Sequence, residues 1–283
     1  TPLSVIRDAN VLATVARTPE VDIHLKLTHD QLAVITPATI CHALGGPYTK
    51  FWTNSIVKDF SILRDQECLI NITSIRPSGP APPPLVQKFK IKERKSISLA
   101  ELFELDPSAF KVRTVARGDR LRYGEHYDAT AAPVVHTTAF KMLLAYAVAN
   151  NLIPYQWDVG GAFYGNAMDR KGVVVKLPTG YDPYSEELWP LDAPPLYAEL
   201  AKAVPGIPQA SLLHYQTLAP ALQRLGLHPA KAENCLFVNH NTGVATTVHA
   251  DDGVLVAESL EHAEAILRLQ GLANGRISTW GPA

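Results

Sequence analysis

The spacing of apolar positions along this chain changes period several times, and each change predicts an element. Val21-Asp-Ile-His-Leu-Lys-Leu27 alternates strictly and predicts an exposed strand. From Pro37 the spacing becomes three-and-four, through Ala38, Ile40, Cys41 and Leu44, then Phe51, Trp52, Ile56, Val57, Phe60 and Leu63. That is a helical pattern, interrupted near Gly45-Gly-Pro47. Thr36, ahead of Pro37, is expected to cap its start. The proline-rich run 78–84 predicts an extended, solvated connector. Residues 85–91 and 110–117 alternate like strands, and 93–109 read as a polar excursion with a short helix.

The second half is more regular. Residues 137–150 predict a helix, 155–159 and 173–177 short strands, 208–225 a helix, and 260–272 a final amphipathic helix. Cys235-Leu-Phe-Val238 and Ala245-Thr-Thr-Val248 frame Asn239-His-Asn-Thr-Gly243, a hairpin signature. A second hairpin turn is expected at Asp251-Asp-Gly253. Helices alternate irregularly with hairpin-linked strands, which predicts an α+β fold.

Composition narrows the classes. The 283 residues are 47% hydrophobic and 19% charged, enough for one large or two modest cores. A formal net charge of -1 gives no support for a strongly basic nucleic-acid binder, so any phosphate contact needs a local basic patch. Cys41, Cys68 and Cys235 show no metal-ligand spacing and read as reduced, buried thiols of an intracellular, non-secreted protein. No apolar run reaches the roughly 18–20 residues that span a bilayer, so no membrane partner is expected. Thr1 is not Met, so the chain reads as a fragment or a processed product.

The chemistry concentrates at Asp251-Asp252, two carboxylates inside an apolar, β-branched run. Charges in such a setting are costly unless paired or bound to a cation. The plain reading is a polar turn with both carboxylates in water. A third carboxylate, Asp158, ends the strand before Val-Gly-Gly-Ala-Phe163; alone it reads as a turn cap. If the three converge, they could hold two Mg²⁺ ions roughly 3.5–4 Å apart for in-line phosphoryl transfer.

At this point an extended resemblance appears. Phe110-Lys-Val-Arg-Thr-Val-Ala-Arg-Gly118, Tyr123-Gly-Glu-His-Tyr-Asp128 through Ala132-Pro-Val-Val135, Gln156-Trp-Asp-Val-Gly-Gly-Ala-Phe163, Val175-Lys-Leu-Pro-Thr-Gly-Tyr181, Pro205-Gly-Ile-Pro-Gln-Ala210, Ala232-Glu-Asn-Cys-Leu-Phe237 and His249-Ala-Asp-Asp252 stand in order. With the lead-in Pro37-Ala-Thr-Ile-Cys-His-Ala-Leu44 and Trp52-Thr-Asn-Ser-Ile56, this series resembles the reverse transcriptase domain of copia-type retrotransposons. The resemblance implies a right-hand polymerase with an antiparallel palm sheet backed by helices. It places an extension at 1–35, fingers at 36–136 and palm at 137–283, with fingers residues interleaved around 165–205; thumb and RNase H are expected to be absent.

The resemblance also implies roles. Asp158, Asp251 and Asp252 would be the catalytic, metal-binding triad, joined by the backbone carbonyl of Val159, with two Mg²⁺ and Mn²⁺ as an alternative. Phe163 would exclude a ribose 2′-hydroxyl; its plainer reading is a core phenylalanine. Gln209 would line the nucleotide pocket. One of Lys111, Arg113 and Arg117 would hold the triphosphate, although a solvated basic edge strand reads equally well. The implied partners are RNA or DNA template-primer, dNTPs and other parts of a Pol polyprotein, in a cytoplasmic particle or the nucleus.

Several positions depart from the family pattern. His249 replaces a tyrosine, Pro205 and Pro208 a tyrosine and a lysine, and Gly160-Gly161 a Lys-Thr pair. Ser211, Leu212 and His214 stand where the family has Pro, Arg and Trp. These changes keep open a second reading, a degenerate or co-opted fragment that retains the fold without polymerase activity. A two-metal nuclease or phosphatase is a third.

Overall fold

The computed structural model describes residues 36–46, 48–91, 110–185, 187–268 and 277–279. The helices are α1 (Ile40–Gly45), α2 (Thr49–Asp65), α3 (Thr137–Ala149), α4 (Ala210–Arg224) and α5 (Leu260–Arg268). The strands are β1 (Leu69–Thr73), β2 (Leu85–Ile91), β3 (Phe110–Ala116), β4 (Ile153–Asp158), β5 (Val174–Lys176), β6 (Tyr197–Leu200), β7 (His228–Ala230), β8 (Glu233–Val238), β9 (Ala245–His249), β10 (Asp252–Ala257) and β11 (Ile277–Thr279). The fold is α+β, as the hairpin-rich pattern predicts. The expected strand at 21–27 and the excursion at 93–109 lie outside the described residues. No helix among those residues is long and apolar enough to cross a membrane.

Two compact units form. One holds the described residues up to Asp65, Asn71–Ala116 and Val174–Ala198; the other holds Gln66–Ile70, Arg117–Val173 and Glu199 onward. A three-stranded sheet is ordered β1-β6-β5.

In the first unit, α2 turns Trp52, Ile56, Asp59, Phe60 and Leu63 inward. Trp52 meets Phe89 and Phe110 edge-on, at ring-centroid distances of 5.4 and 4.9 Å. Asp59 is the exception on this apolar face. It accepts from the Thr114 backbone N–H at 2.7 Å and from the Thr114 hydroxyl at 2.5 Å, tying α2 to β3. Three expectations are corrected here. The α1 cap is Thr39, whose hydroxyl accepts from His42 N–H at 3.3 Å, because the helix starts three residues after Pro37. Pro83, in the connector expected to be solvated, is buried, and its carbonyl accepts from Lys176 N–H. Cys41 is exposed, while Cys68 and Cys235 are buried; all three are free thiols.

The second unit is built on a six-stranded sheet ordered β11-β4-β10-β9-β8-β7, every neighbouring pair antiparallel. Strand alternation sends successive side chains to opposite faces. On one face Trp157, Leu255 and Phe237 pack with Leu218 and Leu222 of α4 and Ala263 of α5. On the other, Val254, Val256 and Ala245 pack with Leu143 and Ala147 of α3. Covering both faces with helices leaves the strand ends to carry polar chemistry.

Candidate functional site

Strands β9 and β10 form a hairpin in which Asp252 pairs with His249. The loop is therefore Ala250-Asp251, two residues, and not Asp251-Asp-Gly253 as the sequence suggests. Ala250 adopts φ +55°, while Asp251 is not left-handed; these are the φ signs of a type II′ turn, where glycine is usual at the first position. The reason for the shift is Gly253. A β-carbon there would lie 2.2 Å from the Trp157 ring and 2.5 Å from the Thr247 carbonyl oxygen. Gly253 is thus a clearance residue inside β10, paired with Trp157. The buried indole is fixed by its N–H, which donates to the Thr246 hydroxyl at 3.0 Å.

One residue on from Trp157 and Gly253, this register pairs Asp252 with Asp158. Directly opposed residues of an antiparallel pair project to the same face with Cβ atoms roughly 4.5–5.5 Å apart. Asp251 joins them through its backbone, since its carbonyl accepts from Val159 N–H at 3.0 Å. Burial first, and then the charges of Asp251 and Asp158, hold the Asp252 carboxyl above its ordinary range; His249 pulls it the other way. The backbone of β4 and of the β9–β10 hairpin thus sets Asp158, Asp251 and Asp252 next to one another.

Carboxylate oxygens suit a hard divalent cation. Burial and then like charge raise the Asp252 carboxyl, and the fit to Mg²⁺ rests on the donor type alone. Among the described residues, however, no three His, Cys, Asp or Glu side chains are gathered into a ready metal-holding cluster. The Val159 carbonyl already accepts from Ala162 N–H at 3.2 Å and keeps one lone pair for another partner.

The segment after Asp158 folds into tight turns. Asn166, buried, donates its side-chain amide to the carbonyls of Ala162 at 2.5 Å and Phe163 at 3.0 Å. Phe163 is half-buried, and its ring stands edge-on to His214 of α4 at 6.2 Å. Gln209 caps α4 and is completely buried. Its amide nitrogen donates to the His126 carbonyl at 3.2 Å and lies 3.5 Å from an Asp169 oxygen, while its Oε1 has no partner. Such a buried acceptor calls for a partner that the surrounding side chains do not supply. Arg170, beside Asp169, clamps the 124–128 loop by donating to the carbonyls of Gly124 and Glu125 and to the Asp128 carboxylate. Gly118 fits against Gly206, whose carbonyl oxygen a β-carbon at 118 would meet at 2.0 Å.

The basic candidates divide between the units. Arg117 is engaged by Asp119 through two bonds of 2.8 Å, which raises the arginine and lowers the aspartate. Lys111 and Arg113 are exposed on β3. The β2–β3 register places Lys90 opposite Lys111 and Lys88 opposite Arg113, all four exposed. Four cations therefore line one face of this two-stranded ribbon. Lys88 and Lys90 are not evident from the sequence as site residues, because their partners lie beyond an intervening stretch of chain. His214, evident only as a departure, becomes part of the site by packing.

A family model described as reverse transcriptase (RNA-dependent DNA polymerase) matches residues 89–270. The chain is also 30% identical over 129 residues to the retrovirus-related Pol polyproteins from transposons RE2 and RE1 of Arabidopsis thaliana. Each match covers 46% of this chain and 8% of the relative.

Proposed function

The chain belongs to the reverse transcriptase (RNA-dependent DNA polymerase) family, and from that premise we propose that it extends a primer 3′-hydroxyl with dNTPs along an RNA or DNA template. The observation that carries the proposal is the opposition of Asp252 and Asp158 beside Asp251. In this reading the second unit acts as palm and the first as fingers. Asp158, Asp251 and Asp252 would hold two Mg²⁺, with Mn²⁺ as a substitute and the Val159 carbonyl as a further oxygen donor. When bound, such ions lower the pKa of the attacking hydroxyl and neutralise charge on the leaving pyrophosphate.

The chain's own residues do the rest. The Trp157–Gly253 contact sets the register that opposes Asp158 and Asp252. In this reading half-buried Phe163 excludes a 2′-hydroxyl and Gln209, whose Oε1 has no partner, lines the nucleotide pocket. The ribbon face of Lys88, Lys90, Lys111 and Arg113 supplies the local cationic patch that a net charge of -1 requires, and phosphates are its natural counter-ions. Other Pol polyprotein segments would complete the grip on template-primer, inside a cytoplasmic particle or the nucleus.

Primer extension on RNA and DNA templates tests this. Mg²⁺-dependent incorporation that Asp251→Ala abolishes is expected. Extension by Asp251→Ala at the wild-type rate would sink the mechanism.

A further inference from the structure

His214 stands where the family pattern has a tryptophan, and it is buried at 4% exposure. Burial, set against the Asp251 charge and the Ala162 backbone, holds this imidazole below the ordinary histidine range, and its Nε2 has no partner. The same ring meets Phe163 edge-on at 6.2 Å and an interplanar angle of 79°. His214 therefore meets Phe163 through its ring.

This grip is selective in what it fixes. Asn166 already secures the Ala162 and Phe163 carbonyls, so the turn's backbone does not depend on His214. His214 adds the lateral contact to the Phe163 ring, the group whose position decides which sugar fits. It does so beside Asp251, whose charge acts on the imidazole. Edge-to-face geometry at this distance is an attractive aromatic arrangement.

We propose that His214 is a positioning residue for sugar selection: it sets the Phe163 ring beside the aspartate site and thereby governs discrimination between deoxynucleoside and ribonucleoside triphosphates. This rests on the polymerase reading above. His214→Ala removes the ring contact; His214→Phe keeps an aromatic ring in its place.

The test compares kcat/KM for dUTP and UTP in primer extension by the full chain. In His214→Ala the dUTP-to-UTP ratio should fall roughly three- to tenfold, the worth of one aromatic edge contact. His214→Phe should recover most of the ratio. An unchanged ratio in a folded His214→Ala protein overturns the proposal. If the wild-type chain extends no primer, the polymerase reading fails, and the positioning claim is decided by NMR of a ring-labelled Phe163. There, a shifted and broadened signal in His214→Ala that His214→Phe restores supports the claim, and an unmoved signal overturns it.

Discussion

Trp157 packs so close to Gly253 that no β-carbon fits between the indole and the Thr247 carbonyl. This contact locks the β4–β10 register, and the next pair along is Asp158 with Asp252. A strand slipped by one residue would send the carboxylates to opposite faces.

Gly253→Ala should therefore disrupt the site without touching a carboxylate. Overpacking a filled core costs about 1–3 kcal/mol, and here neither the ring nor the carbonyl can retreat. Urea denaturation should show a loss of at least about 2 kcal/mol. A variant as stable as wild type would mean that the indole does not set the register.

The anchor of that indole can be removed alone. Thr246→Val keeps the shape but leaves the buried Trp157 N–H without its 3.0 Å acceptor. The expected loss is about 1–3 kcal/mol, the desolvation cost of an orphaned donor. Denaturant midpoints check it, and near-ultraviolet circular dichroism reports whether the tryptophan environment changes.

How much of this is legible in the chain depends on whether the determinant is local. The helix at 137–150, the alternation of 85–91 and 110–116, and the hairpin at 239–243 rest on neighbours in sequence, and they form as the pattern predicts. The Asp251–Asp252 turn is read two residues late in its glycine. Asp-Asp-Gly looks the same whether the glycine bends the chain or makes room for a ring that arrives from Trp157. Strands β1, β6 and β7 carry three to five residues and owe their existence to partners, so no period reveals them. Asp251 and Asp252 stand out because carboxylates in an apolar run are costly, whereas Asp158 alone reads as a turn cap and is tied to them by resemblance. His214, Lys88 and Lys90 become site residues only through packing and register, which the spacing of the chain does not encode.

The β2–β3 ribbon carries a conflict between stability and binding. Like charges directly opposed across strands are unfavourable. Replacing Lys88 and Lys90 with Gln should stabilise the chain by roughly 0.2–1 kcal/mol for each relieved pair. The same variant should bind template-primer less tightly, with a shallower dependence of affinity on salt. Fluorescence anisotropy across a salt series measures the slope. Weaker binding with an unchanged slope would remove phosphate contact as the role of this face.

Asp59 predicts a pH signature. Burial, outweighing the Thr114 bonds and the Arg113 and Lys111 charges, raises its carboxyl from 3.8 to about 6. The folded chain then binds a proton that the unfolded chain releases near pH 4. The group's contribution is full below that pH and is lost as pH rises through about 6. The swing is up to about 3 kcal/mol. Asp59→Asn keeps an acceptor for Thr114 without the charge, so it should flatten the decline in stability between pH 4 and pH 7, followed by urea unfolding at each pH. A wild-type decline that persists in the variant would assign it elsewhere.

Ala250 sits at φ +55° in the two-residue loop that carries Asp251. Left-handed backbone costs an L-residue roughly 1–2 kcal/mol, and glycine avoids it. Ala250→Gly should gain about 0.5–1 kcal/mol after the extra freedom of the unfolded glycine is counted. A loss of stability would show that the loop is not left-handed at this position.

The central claim is that Asp158 and Asp252, opposed across two strands, act as one catalytic unit. Single-turnover incorporation of one dNTP by wild type, Asp158→Asn, Asp252→Asn and the double variant tests it most directly. Groups that act together show strongly non-additive losses. Each single variant should lose nearly all of the rate, about a thousandfold or more, and the double variant should be little worse than either. Losses that multiply in the double variant, or single variants that retain the wild-type rate, would contradict the account.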